Sequence, residues 1–515
     1  MHTSNHLLSF LLGALLLLGL ASPAHAKTRW HWQNGTIVVD TPPMPAGQQT
    51  ALNLTTPKLP VIRIAFVGLG MRGVDAVKRW TYIPGVRIVA LCDYEPDRAQ
   101  RSQETLRKAG LPDAALYTGA EGYKELCARK DINLVYIATD WQHHVPVAKC
   151  ALEHGHNVAI EVPSAMNLDD CWDLINLAEQ KRLHCQLLEN CCYDFFELNT
   201  LNMAQHGVFG DILHVEGAYI HDLSPYWKKY WKNWRLEYNQ AHRGDVYPTH
   251  GLGPVAQLLN LHRGDRIKTL VAMDTKAASG PMWVKEVTGK QIDESQFRNG
   301  DHTTTLMRTE GGRVIEIQHD VMNPQPYNRK YQLTGTKGFA NKYPVSGYAV
   351  GADQLKLSGV AVKEDNISSH TFLNDAARAQ LEAKYKSPLL SIYEKKAKEV
   401  GGHGGMDFIM DSRLAYCLQN GLPLDIDVYD LAEWCSLAEL GELSMDHGNA
   451  SVQVPDFTRG HWRDIQGFHH AFATAAEERQ AAALATGYTA QLKSKGADAA
   501  EKWLKKQLKA QAKKR

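Results

Sequence analysis

From Val61 onward, short apolar runs alternate with stretches of helical period, and this alternation sets the first expectation. Val61 to Val67, Arg87 to Cys92, Leu134 to Ala138 and Asn157 to Glu161 are rich enough in apolar residues to be largely buried strands, and the segments between them carry amphipathic helical spacing. Repeated strand-helix units predict a parallel, doubly wound sheet over residues 61–187. Beyond it the strands are longer and more polar: Ile212 to His221, Asp301 to Arg308, Arg313 to Gln318 and Tyr331 to Thr334. They predict an α/β domain over 188–460 with an open, largely antiparallel sheet and helices on one face. A helical stretch from about Met406 to Glu442 is expected to return to the first domain.

The two ends read differently. Leu7 to Leu20 is an apolar run followed by Ala24-His25-Ala26, the pattern of a signal peptide over residues 1–26 cut after Ala26. The run falls short of the roughly 20 residues of a spanning helix, so the expectation is export, to the periplasm, without stable membrane insertion once the leader is removed. Residues 27–60 hold Pro42, Pro43, Pro45, Pro57 and Pro60 and predict an extended linker. Residues 461–515 predict a helical, basic extension whose charges are solvated. The 515 residues, 44% hydrophobic and 22% charged, suit two or three packed domains, and a net charge of +1 argues against nucleic acid as a partner. A homo-oligomer is compatible with this composition. Nine cysteines, an odd number without zinc spacing, read mostly as small buried side chains, and no metal site is expected.

Candidate chemistry starts at Gly68-Leu69-Gly70-Met71-Arg72-Gly73, a GxGxxG directly after a predicted strand, where a helix N-terminus can receive a pyrophosphate. The next strand ends at Asp93, placed to accept hydrogen bonds from the adenosine ribose hydroxyls and to repel the extra phosphate of NADP. A Rossmann domain holding NAD follows. The ends of later strands, Thr139 to His144 and Glu161-Val162-Pro163, fall where such a sheet presents residues to its ligand. The adjacent His143 and His144 suit one ring lining the cofactor and one capping a helix better than a metal pair.

A second group has no counterpart in the glycine loop. Glu189 to Asp194, Gly217 to Asp222 and Tyr247-Pro248-Thr249-His250-Gly251 flank a run containing Tyr226, Trp227, Tyr230, Trp231, Trp234, Arg235 and Tyr238. Aromatic faces beside a few hydrogen-bonding groups suit a sugar ring.

With these segments in view, the chain resembles the Gfo/Idh/MocA oxidoreductases and, within them, the NAD-dependent glycoside hydrolase family 109, whose founding activity is α-N-acetylgalactosaminidase. The likeness runs from about Val61 to Gly460 and rests on GLGMRG at 68–73, EVPSAM at 161–166, LENCCYDFFELNTLNMA at 188–204, GAYIHDL at 217–223 and YPTHGLGP at 247–254. It implies NAD against Gly68, Gly70, Met71, Arg72, Gly73, Asp93, Trp141, His143, His144, Glu161, Val162 and Asn190. It implies a sugar against Tyr219, Arg235, Tyr247, Pro248, Thr249, His250 and Tyr327, with Tyr193 and His250 moving protons. The chain departs from relatives at Thr139-Asp140, where Thr-Pro is common, and at Arg243-Gly244-Asp245. Sugar dehydrogenases of the wider family share a Glu-Lys-Pro segment whose lysine helps take the hydroxyl proton; Val162 stands there instead. The implied reaction is glycoside cleavage by oxidation at C3, elimination across C1–C2, hydration and re-reduction, with NAD recycled. A periplasmic sugar oxidoreductase with tightly bound NAD(P) is the alternative.

Overall fold

The computed structural model describes residues 29–360 and 367–513; the expected leader lies outside the described residues. In chain order the strands are β1 Trp30–Gln33, β2 Thr36–Val39, β3 Ile62–Val67, β4 Val86–Asp93, β5 Ala115–Thr118, β6 Leu134–Ile137, β7 Asn157–Ile160 and β8 Cys185–Leu187. There follow β9 Ile212–Ile220, β10 Ile267–Asp274, β11 Thr303–Thr309, β12 Val314–Asp320, β13 Tyr331–Gly335, β14 Gly338–Asn341, β15 Gly347–Val350 and β16 Ser451–Gln453.

Six of these form a parallel sheet in the order β5-β4-β3-β6-β7-β8. Its central strands are apolar because both faces are covered: Ile64, Phe66, Val135, Ile137, Val158 and Ile160 are all buried. The order reverses between β4 and β6 on either side of β3, which opens a crevice at the carboxyl ends of the strands. The other ten strands form one sheet, β1-β2-β16-β10-β11-β12-β9-β13-β14-β15, antiparallel except where β12 pairs β9 and β16 pairs β2. The fold is thus α/β, a doubly wound sheet joined to a large mostly antiparallel one.

The segment expected as a linker takes a different form at its start. Asn34 and Gly35, with φ of 50° and 77°, make a two-residue turn that folds β1 onto β2 and attaches both to the edge of the large sheet. Each strand has only four residues, too few for the period-two pattern to stand out, and Asn-Gly was the readable signal. Beyond the hairpin the Pro-rich stretch carries no helix or strand and is tied down at Ala51, whose amide donates to the Tyr429 hydroxyl at 2.8 Å.

The helical return divides at Gly421 into Met406–Asn420, which packs on β3 and on the helix Met71–Trp80, and Val428–Asp446, which packs on the helix Leu168–Lys181 and on β10. The C-terminal extension is a pair of helices, Ala475–Lys495 and Ala497–Ala512, closing a small core of Val61, Leu484, Tyr488, Leu492, Ala500 and Leu504. Its docking is acidic despite its basic composition: Glu501 pairs with Arg63 at 2.6 Å and Arg87 at 3.4 Å. The lysines of the last helix that the expectation placed in solvent, among them Lys502, Lys505 and Lys506, are exposed. No helix among the described residues is long and apolar enough to cross a membrane.

Candidate active site

The crevice is built from the ends of five parallel strands. After β3, Gly68 has φ of 89°, and a Cβ there would lie 2.5 Å from the backbone of Ala138; at Gly73 it would lie 1.9 Å from the Gly68 carbonyl oxygen. Both glycines are demanded by the loop's own packing. Gly70 differs, since a Cβ there would meet only the Arg98 side chain at 3.8 Å. It stands at the start of the helix Met71–Trp80, whose first amides have no side-chain cap. After β4, Asp93 accepts from the Leu69 amide at 2.6 Å and the Glu95 amide at 2.9 Å, and Arg98 lies 3.5 Å away. A pyrophosphate on the free amides and a ribose at Asp93 fit this arrangement.

The next strand ends tie the crevice together. His144, buried, lies 2.8 Å from the Pro163 carbonyl through Nδ1 and 3.1 Å from the Thr139 carbonyl through Nε2, and so spans the loops after β6 and β7. Burial lowers its pKa, against the pull of the two carbonyls. His143 turns outward with its ring 2.6 Å from Asp140. Asp140 caps the following helix by accepting from the His143 amide. Glu161 accepts from the Tyr136 hydroxyl at 2.9 Å and from Arg72 at 3.1 Å. Val162 is buried. Met71 is half exposed on the rim.

Across the crevice, the second domain presents β9 and the helix Thr249–Leu258. These two elements lie in backbone contact: a Cβ at Gly217 would fall 2.0 Å from the Gly251 carbonyl oxygen, so glycine at this crossing lets the helix that starts beside Pro248 sit on the strand. The contact brings together residues separated by about thirty positions. The Tyr219 and Tyr247 ring centroids are 4.7 Å apart, and His250 is 5.1 Å from the first and 4.9 Å from the second. Arg235 stacks on Tyr247 at 4.7 Å and on Trp141 at 5.0 Å, which joins the cofactor-side wall to the aromatic one. Tyr327 is 41% exposed at the mouth, against His221 at 5.1 Å. Thr249 is fully buried.

His250 Nδ1 lies 2.6 Å from Glu189 Oε1, at the end of β8, and both side chains are buried. Burial drives the His250 pKa down to about 4; Glu189 opposes this and Arg329 reinforces it. Burial alone would raise Glu189, but the His250 ring and the Cys191 amide, which donates at 3.0 Å, outweigh it and hold the carboxylate below its ordinary value. The pair is therefore a neutral imidazole donating Nδ1–H to an ionised carboxylate, leaving Nε2 as an acceptor. Buried polar atoms around it are without partners: Arg235 Nε, Arg329 Nε, His221 Nδ1 and His319 Nε2. A ligand rich in hydroxyls would satisfy them.

Sequence reasoning gave no role to Glu189, Arg329 or His319. Arg329 donates to Cys191 Sγ at 2.9 Å and stacks near Tyr219 and Tyr327, and nothing local in Asn328-Arg329-Lys330 marks it. Glu189 stood in a quoted segment, but only the fold shows that it faces His250.

Tyr193 takes a different partner. Its phenol is fully buried and lies 3.3 Å from Asp425, itself held by Arg413, and burial followed by that carboxylate holds its pKa well above the usual phenol value. The 3-10 turn Asn190–Tyr193 has three residues per turn, so Asn190 and Tyr193 share a face, and the turn packs on the helix Met406–Asn420. The phenol expected to move protons beside His250 thus has Asp425 as its hydrogen-bond partner. Tyr193→Phe should cost about 1 kcal/mol in urea denaturation and leave kcat/KM at the wild-type value; a loss of turnover at unchanged stability would restore the residue to the site.

Known proteins resemble this one at each level. Residues 193–464 match the family model for the glycosyl hydrolase 109 C-terminal domain, and residues 62–188 match that of the oxidoreductase family NAD-binding Rossmann fold. Glycosyl hydrolase family 109 protein 5 of Phocaeicola vulgatus is 62% identical over 511 residues, covering 97% of both chains. Glycosyl hydrolase family 109 protein 1 of Bacteroides thetaiotaomicron is 56% identical over 468 residues, covering 91% of this chain and 99% of its own. Among solved structures, an NAD-binding oxidoreductase from Klebsiella pneumoniae superposes with a TM-score of 0.58 at 16% identity, covering 77% of this chain and all of its own. Levoglucosan dehydrogenase in complex with NADH superposes at 0.55 and 18% identity, covering 77% and 99%; at such identities these two speak for the fold. An NAD-binding Rossmann domain and a hydrolase C-terminal domain in one chain, with curated relatives matching nearly end to end, mean that this protein belongs to glycoside hydrolase family 109.

Proposed function

We propose that the enzyme cleaves N-acetylgalactosaminides, α-linked, by oxidation at C3, elimination, hydration and reduction, with NAD recycled within the site. The observation that carries this reading is the buried Glu189–His250 pair, set in a sugar-sized aromatic wall beside the nucleotide crevice. The residues fit the cofactor: the open side of Gly70, the uncapped amides of Met71–Trp80 and the carboxylate of Asp93 would hold it. Bound there, NAD supplies a reversible hydride acceptor for C3, which makes the neighbouring C2 proton acidic.

The chain's own groups handle the proton. His250 Nε2 removes it from C2, and Glu189 holds the reacting tautomer and stabilises the imidazolium that forms. Tyr247 stays a phenol, because burial raises its pKa well above the usual value, and it serves as a hydrogen-bond donor. Arg235 and Arg329 orient the sugar through their unpartnered Nε atoms, Tyr219 packs on its face, and Tyr327 closes the mouth. Val162 stands where the wider family's lysine would take the C3 hydroxyl proton, so in this enzyme that proton passes to another group of the site. Export to the periplasm after cleavage behind Ala26 completes the reading.

Screening p-nitrophenyl N-acetylgalactosaminides of both anomers with NAD present tests it, run in deuterium oxide. Deuterium at C2 of the released sugar is expected. Release of an oxidised sugar with stoichiometric NADH would instead favour the oxidoreductase reading. The pH dependence gives a second check. His250 must be neutral to act, and its lowered pKa keeps it so until the solution falls toward pH 4, so the acid limb of kcat/KM should lie near 4 and not near the ordinary 6.5.

A further inference from the structure

A second network reaches the crevice from the far end of the chain, and the proposed chemistry leaves it unused. Between the helices Pro388–Val400 and Met406–Asn420 runs Gly401-Gly402-His403-Gly404-Gly405, and all five residues have positive φ: 83°, 86°, 44°, 74° and 113°. Four are glycines, for which this costs little; His403 pays a side-chain penalty of about 1 kcal/mol to be there. What it gains is a position. Its Nδ1 lies 2.9 Å from Asp407 Oδ2 and 3.2 Å from Arg72 Nη1.

Asp407, in the first turn of Met406–Asn420, is 1% exposed and engaged on every side. Its Oδ1 accepts from Asn190 Nδ2 at 2.6 Å, and its Oδ2 meets Arg72 at 3.2 Å and Arg79 at 3.5 Å. Burial alone would raise this carboxyl; Arg72, His403 and Arg79 together hold it well below the ordinary value. One carboxylate thus fixes three walls of the crevice: Arg72 just behind the glycine loop, Asn190 after β8, and the glycine segment that arrives from the C-terminal helices.

A plain inter-domain tie does not account for the arrangement. That tie is already made deeper in, where Arg79 bonds Asp411 at 2.8 Å with both side chains buried. Arg72 and His403, by contrast, are 32% and 42% exposed, so this end of the network lies at the opening. Arg72 also spends its other edge on Glu161, so its position reports on both sides of the crevice at once.

We propose that residues 401–407 form a clasp that retains the nucleotide cofactor, with Asp407 as a positioning residue and His403 as the part that closes the mouth. The proposal rests on the reading of NAD as a recycled group, which a retained cofactor would serve. His403→Gly is the informative change, because it relieves the backbone, keeps the loop and removes only the ring. Stripped protein would be titrated with NADH by fluorescence, release rates measured by stopped flow, and the melting temperature of the stripped protein recorded.

His403→Gly and Asp407→Asn should release NADH about tenfold faster and bind it correspondingly more weakly, the equivalent of one charge-assisted hydrogen bond. The stripped His403→Gly protein should melt no lower than wild type. Release and affinity unchanged in His403→Gly would overturn the clasp, as would a fall in stability that accounts for the whole loss of binding. If wild type itself consumed NAD stoichiometrically, the recycled reading would fail, while the ratio of release rates between variant and wild type would still decide the clasp.

Discussion

His250→Ala is expected to lower kcat/KM for an N-acetylgalactosaminide by about 10²–10⁴-fold, the range that a positioned acid–base group contributes. The substitution removes Nε2, the free acceptor of a ring packed against Tyr219 and Tyr247, and leaves Glu189 ionised, buried and short of one donor. The second effect costs stability, on the order of 1–3 kcal/mol, and must be separated from the first. His250→Gln does so, since its amide still donates to Glu189 but takes no proton. Both variants should lose turnover while binding NADH as wild type does, measured by nitrophenol release and fluorescence titration on the same preparations. Turnover that survives in the glutamine variant would mean that His250 only organises the site.

The glycine loop supplies the second large effect, and Gly70 and Gly73 are expected to behave differently. Gly73→Ala places a methyl 1.9 Å from the Gly68 carbonyl oxygen, backbone against backbone, so the loop must shift and the first domain weakens with it. Gly70→Ala meets only the end of Arg98 at 3.8 Å and adds its methyl on the open side of the loop, where the pyrophosphate would lie. The Gly70 variant should therefore keep the melting temperature of stripped wild type and lose NADH affinity by tenfold or more, roughly the 1.4 kcal/mol of one displaced contact. The Gly73 variant should lose both. A Gly70→Ala protein that binds NADH normally would place the pyrophosphate elsewhere.

The contrast between Asn190 and Tyr193 shows how far sequence reaches. Three residues apart in Leu188 to Tyr193, both are expected at the site from sequence, one at the cofactor and one at the reacting carbons. In the fold Asn190 meets Asp407 in the helix Met406–Asn420, and Tyr193 meets Asp425 in the loop that follows it. The segment was informative, but the direction of each side chain depended on a helix more than two hundred residues later. The N-terminal hairpin failed for the opposite reason: its Asn-Gly turn was local and readable, but strands of four residues gave too little alternation to weigh against the prolines that follow.

The sequence by itself determined the doubly wound domain and its nucleotide loop, because burial on both faces, strand-to-helix alternation and the glycine spacing are all local consequences of backbone geometry. It also marked the aromatic and YPTH segments as the place for a sugar. Only the tertiary structure decided that Glu189 pairs with His250, that Arg329 joins them, that the Tyr193 phenol meets Asp425, and that Asp407 reaches the crevice from the C-terminal helices. Such pairings are set by the crossing of β9 with the helix Thr249–Leu258 and by the packing of Met406–Asn420 on the first domain. The chain records the residues that meet there, but their distances arise only when those surfaces close.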